Sequence, residues 1–147
     1  MKSRKLLLGI AVAIATSVAF IQSGVLPLYE ATATGSHSDQ ALADAFENRS
    51  GNLQIEGQGI VTRILSDDRD GSRHQRFIIE LDSGQTLLVA HNIDVAPRIE
   101  SLREGDEVAF YGEYEWTSQG GVIHWTHRDP DGHHPDGWIR HRGETYQ

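Results

Sequence analysis

The chain has 147 residues, with 13 Lys+Arg against 21 Asp+Glu, a formal net charge of −8, eight His and no Cys. That length suits one domain with a modest core. Without Cys there is no disulfide framework, thiolate zinc site, thiol nucleophile, iron–sulfur cluster or c-type haem attachment. Both lysines, Lys2 and Lys5, stand at the N-terminus, so the rest of the chain cannot supply a Schiff-base or P-loop lysine.

Lys2, Arg4 and Lys5 precede an uncharged apolar run, Leu6 to Ile21. A positive segment before such a run predicts an export signal or an N-terminal anchor. Continued to Leu28 the run reaches 23 residues, enough for a hydrocarbon core of about 30 Å. The small residues Ala31-Thr32-Ala33 offer a cleavage pattern, but far from the run's end. Charge bias places the basic residues in the cytoplasm. The rest is then periplasmic or otherwise extracytoplasmic, tethered to the inner membrane by residues 6–28 if the signal is uncleaved.

Residues 29–52 are rich in Ala, Ser, Thr, Gly and Asp and read as a linker with at most one short helix, Gln40 to Phe46. The domain proper is expected over residues 53–147. Alternation from Ile60 to Leu65 predicts a first strand, and Gly57 and Gly59 before it suggest a bulge or a close backbone approach. The run from Asp67 to Ser72 then turns the chain, with Asp70-Gly71 as hairpin dipeptide. In the second strand Phe77, Ile79 and Leu81 share one face; in the third, Leu87, Val89 and His91 do.

A short helix is expected next, capped by Asp94, with Val95, Ile99 and Leu102 on one face and Gly105 at its end. A fourth strand, Asp106 to Trp116, and a fifth, Val122 to His127, follow. Three strands, one short helix and two strands predict an all-β, five-stranded OB-like barrel better than a sandwich or a βαβ fold. Arg142-Gly143 suits a small terminal hairpin.

Five histidines (His124, His127, His133, His134, His141) fall within 18 residues, interleaved with Asp129, Asp131 and Asp136. Imidazole and carboxylate are the ligands left for zinc or another divalent metal when thiolates are absent. His124 and His127 point to opposite faces of a regular strand, so they converge only if the strand breaks between them. With His91 arriving from the third strand, the expected metal ligands are His91, His124, His127 and Asp129. An open metal position would make Asp129 or Glu113 a catalytic base. The tract also reads as a solvated turn without a metal.

The loop Ser66 to Ser72 resembles the start of a calcium loop. Its twelfth position is Phe77 and its flanks are strands, so a plain turn is the better reading. Arg63, Arg73 and Arg76 with Tyr111, Tyr114, Trp116 and Trp125 suggest a nucleic-acid face. A net −8 over residues 53–147 opposes a polyanion. Arginines with aromatic neighbours suit carboxylate-bearing glycans or a partner protein equally well, so the expected partner is an envelope protein or a small ligand.

The strings SRHQRF (Ser72–Phe77), AHNID (Ala90–Asp94), GEYEW (Gly112–Trp116) and HWTH (His124–His127) are distinctive. Across Gln58 to Gln147 the chain resembles the bacterial domain-of-unknown-function family 3465. The resemblance implies an export segment followed by one such domain, and it transfers no activity, substrate or cofactor. It makes His74, Asn92, Glu113, Trp125 and His127 places to look for a binding site, beside Arg76. Two readings stay open: a non-enzymatic periplasmic binding or interaction module, and a metal-dependent, zinc-type hydrolase or nuclease.

Overall fold

The computed structural model describes residues 29–147; the apolar run and its expected role as signal or anchor lie outside them. Among the described residues no helix is long and apolar enough to cross a membrane.

The first element is a helix, α1 (Tyr29–Glu47), where the composition suggests a linker with at most a short helix. Leu42 and Ala45 supply the correction: both are buried in the barrel's core cluster. Two apolar residues three apart anchor a helix whose overall polarity hides it from a hydropathy reading. Its end is a Schellman turn, with Ser50 N–H to Ala45 O at 2.9 Å, Arg49 N–H to Phe46 O at 3.2 Å, and Arg49 left-handed at φ 53°. Side chains tie it down: Ser83 N–H donates to Asp39 Oδ2 at 2.9 Å, and Trp116 Nε1–H to Phe46 O at 3.2 Å.

Seven strands follow: β1 (Leu53–Ile64), β2 (His74–Glu80), β3 (Thr86–Asn92), β4 (Glu107–Glu115), β5 (Val122–His124), β6 (Trp138–His141) and β7 (Glu144–Tyr146). Their order is β1-β2-β3-β5-β4-β6-β7, with β1 also pairing β4. The first five therefore close into a barrel. β3 and β5 run parallel, and the other pairs are antiparallel. This is the expected OB-like architecture. The first strand starts earlier than its alternation suggests, and it points Ile55 and Val61 inward; Ile60 faces out. Gly57 lies against the Phe110 ring and Gly59 against the Glu80 carbonyl, so a side chain at either has no room.

Phe77, Ile79, Leu87, Val89, Val108, Phe110, Tyr114 and Ile123 fill the interior. One buried polar group bridges the barrel to its largest loop. Gln75 Nε2 donates to Ile99 O at 3.0 Å, and its Oε1 accepts from Ile99 N at 2.8 Å. Gln75→Leu is expected to cost about 2 kcal/mol in urea unfolding, because both Ile99 groups stay buried without partners. A change below about 0.5 kcal/mol would mean that water replaces the amide.

Between β3 and β4 a single turn, Ala96 N–H to Asn92 O at 3.2 Å, stands where the short helix is expected. Pro97 explains the early stop: it lacks an N–H and disfavours the helical conformation of Ala96. Asp94 does not cap a helix. Its carboxylate takes Arg73 Nε at 2.6 Å and Arg73 N at 2.8 Å, clamping the β1–β2 loop. Arg98 makes a second clamp on that loop, with Nε and Nη2 each 3.2 Å from the Asp67 carboxylate. The Ser66–Ser72 segment is a hairpin loop closed by paired bonds between Asp68 and His74.

The terminal hairpin forms as expected. Arg142 and Gly143 have φ of 50° and 82°, the paired positive angles of a type I′ turn. β6 runs along β4 beyond the end of β5, and Ile139 completes the core. His141 is buried beneath it, with Nε2 2.9 Å from Asp106 Oδ2, while Arg142 Nη2 reaches Asp106 Oδ1 at 2.9 Å. The Arg142 bond first, with His141 and the Arg103 N–H adding to it, lowers the Asp106 carboxyl to about 2.

Candidate functional site

Residues that point out of the barrel on β2, β3 and β5 build one groove. Leu88, Ala90 and Val122 form its apolar floor, with His74 and Arg76 on one side and His124 and Glu115 on the other. This part encloses about 380 Å³. A second hollow of about 180 Å³ continues from it, sharing His74, Ala90 and His124 and adding Asn92, Trp125 and His127. In the opposite direction the groove runs over Leu65, Ile78 and Leu88 toward the β4–β5 turn.

The groove's histidine end exists because β5 stops early. Trp125 is left-handed at φ 52°, an uncommon angle for a bulky residue. That turn breaks the strand's alternation, so His124 and His127 both line the second hollow. The Trp125 indole stacks on His134, centroids 4.1 Å apart and planes 10° apart, with His127 at 5.3 Å on a tilted ring.

Main-chain carbonyls fix three imidazoles. Nδ1–H donates to Ser72 O at 2.8 Å from His74, to Arg128 O at 2.7 Å from His127, and to Pro135 O at 2.9 Å from His134. In each neutral ring the basic nitrogen is then Nε2. For His134 that nitrogen lies 2.9 Å from Glu113 Oε2. Burial works to lower the His134 pKa, but the Glu113 bond, the Pro135 carbonyl and the nearby carboxylates outweigh it and raise it. His124 differs: burial lowers its pKa, only partly opposed by Glu113 and Glu115.

Of the residues expected to bind, His74, Arg76, Asn92 and Trp125 meet in the groove, and Glu113 stands one strand away, paired in register with His124. Arg76 Nε also donates to Ser66 O at 3.1 Å, and Asn92 Oδ1 accepts from Asp94 N at 2.9 Å. The expected metal ligands do not converge. His91 is fully buried, with Nε2–H donating to Pro97 O at 3.1 Å and Nδ1 accepting from the Thr126 hydroxyl at 2.9 Å. Neither nitrogen keeps a lone pair for a metal.

Asp129, the other candidate base, organises its own turn. Its carboxylate accepts from the N–H groups of Asp131, His133 and His134, which hold its pKa low despite the opposing effect of burial. Among the described residues the group whose ligand atoms lie within 4.8 Å of one another is instead Glu113, Glu115 and His124.

Sequence reasoning does not single out Glu115, and it counts His134 in the histidine cluster without giving it a role. The alternation Glu113-x-Glu115 on one strand carried a signal for the first. No spacing announces the second, which a loop delivers.

A closed five-stranded barrel with an open groove across β2, β3 and β5 places the chain among small OB-like domains. Residues 25–147 match the family described as "Protein of unknown function (DUF3465)", and the chain belongs to that family. No curated protein matches it in sequence.

Proposed function

We propose that this protein is an exported, membrane-tethered binding module that holds an elongated ligand or partner segment in the groove over β2, β3 and β5. The observation that carries the reading is the groove's make-up: an apolar floor of Leu88, Ala90 and Val122 walled by Arg76 and three imidazoles, with Asp68 and Glu115 also lining it. Apolar floors with a few oriented polar groups are the common form of binding sites. Arg76 and His74 on one wall suit a carboxylate, in keeping with a carboxylate-bearing ligand and not a polyanion. The export part rests on Lys2, Arg4, Lys5 and the apolar run after them. The competing reading, a metal-dependent hydrolase, keeps support from the Glu113–Glu115–His124 group.

The test is photo-crosslinking in the native cells from an unnatural side chain at Ala90, on the floor of both hollows. A discrete adduct from Ala90, absent from the exposed Ile60 on β1, is the expected result. Equal capture at both positions, or none at Ala90, would overturn the groove as the binding face.

A further inference from the structure

We propose that Glu113, Glu115 and His124 form a divalent-metal site of zinc type at the wall of the groove. Glu113 and Glu115 project outward together, two apart on β4, and His124 is the direct cross-strand partner of Glu113 on β5. The Glu113 carboxylate sits between two imidazole nitrogens: Oε1 is 3.2 Å from His124 Nε2, and Oε2 is 2.9 Å from His134 Nε2. Glu115 is held by the Asn52 N–H, which donates to its Oε1 at 3.1 Å.

A second observation points to a ligand. His124 Nε2 is shielded from solvent and makes no hydrogen bond of acceptable geometry, although Glu113 is near. A shielded nitrogen that makes no hydrogen bond is unfavourable, and a metal ion would satisfy it. His134 stands behind the site, its Nε2 on Glu113 Oε2 and its Nδ1–H on the Pro135 carbonyl, and so positions the Glu113 carboxylate. One imidazole and two carboxylates, with no thiolate, suit zinc or a neighbouring first-row ion with a position left open.

Glu115 and His124 also line the 380 Å³ hollow, so the metal would face the groove and meet its ligand there. That role rests on the groove reading, whereas metal binding is measured separately. A protein that crosslinks at Ala90 yet holds no zinc loses the metal site alone.

The experiment is elemental analysis of the full-length protein purified without chelator or added metal, then calorimetric titration of the stripped protein with zinc chloride. One equivalent is expected, with affinity lowered at least about 100-fold in Glu113→Gln and in His124→Ala. The exposed His133→Ala should bind as the wild type. Thermal melts without zinc establish that the variants fold, and zinc should raise the wild-type melting temperature in any case. An absence of stoichiometric binding or of any zinc-dependent melting shift would overturn the site. Binding retained in both ligand variants, or lost in His133→Ala, would do so too.

Discussion

Between pH 6.5 and about 4 the protein is expected to lose about 3 kcal/mol of stability through one side chain, His91. Burial holds this imidazole's pKa down to about 4, against 6.5 when it is free, with the positive fields of His127 and His74 adding to the effect. The unfolded chain takes up a proton below pH 6.5 and the folded one does not until about pH 4. Stability is therefore complete above 6.5 and falls, by about 1.4 kcal/mol per pH unit, down to the folded value. His124, lowered by burial, works in the same direction, while His134, with a raised pKa, opposes it. Urea unfolding at pH 7.5 and 4.5 measures the total, and His91→Gln should flatten most of the difference. Parallel pH profiles for the two proteins would show that the proton goes elsewhere.

The second large effect is expected from Gly137→Ala. A Cβ there would overlap the Trp125 carbonyl and press on the Tyr111 carbonyl at 2.5 Å, while the Gly137 N–H is held by His127 O at 2.8 Å. Both obstacles are backbone, so no rotamer change relieves them. The cost should reach about 3 kcal/mol or more, at the upper end of overpacking. The damage falls on the turn that delivers Trp125, His127 and His134, so indole fluorescence should change together with the melting temperature. Gly132→Ala is the comparison: its φ of 67° strains a side chain, but the space around it is open, and about 1 kcal/mol is expected. Equal costs at the two positions would show that the β5–β6 turn yields as a whole.

The barrel was legible because its inward residues alternate: Phe77, Ile79 and Leu81, then Leu87, Val89 and His91, are buried as the period of two requires. Helix α1 was not, since only Leu42 and Ala45 of its described apolar residues are deeply buried and its remaining composition imitates a linker. The site divides along the same line. His74, Arg76 and Asn92 lie on regular strands, where facing follows from sequence position. The left-handed turn at Trp125 reverses that arithmetic for His127. His91 shows the opposite case: it stands on the inward face its position requires, but burial and two hydrogen bonds leave it nothing for a metal. A histidine count cannot separate a packed imidazole from an available one.

Strand β4 serves three partners, with β1 along one edge and β5 then β6 along the other. This arrangement sets the order in which the chain can fold. β1 closes the barrel only with a strand that begins about fifty residues later. The interior stays open until Ile139 arrives from the last ten residues. Pairings so distant in sequence form slowly. A ribosome still holding the C-terminal segment would therefore hold an unfinished core.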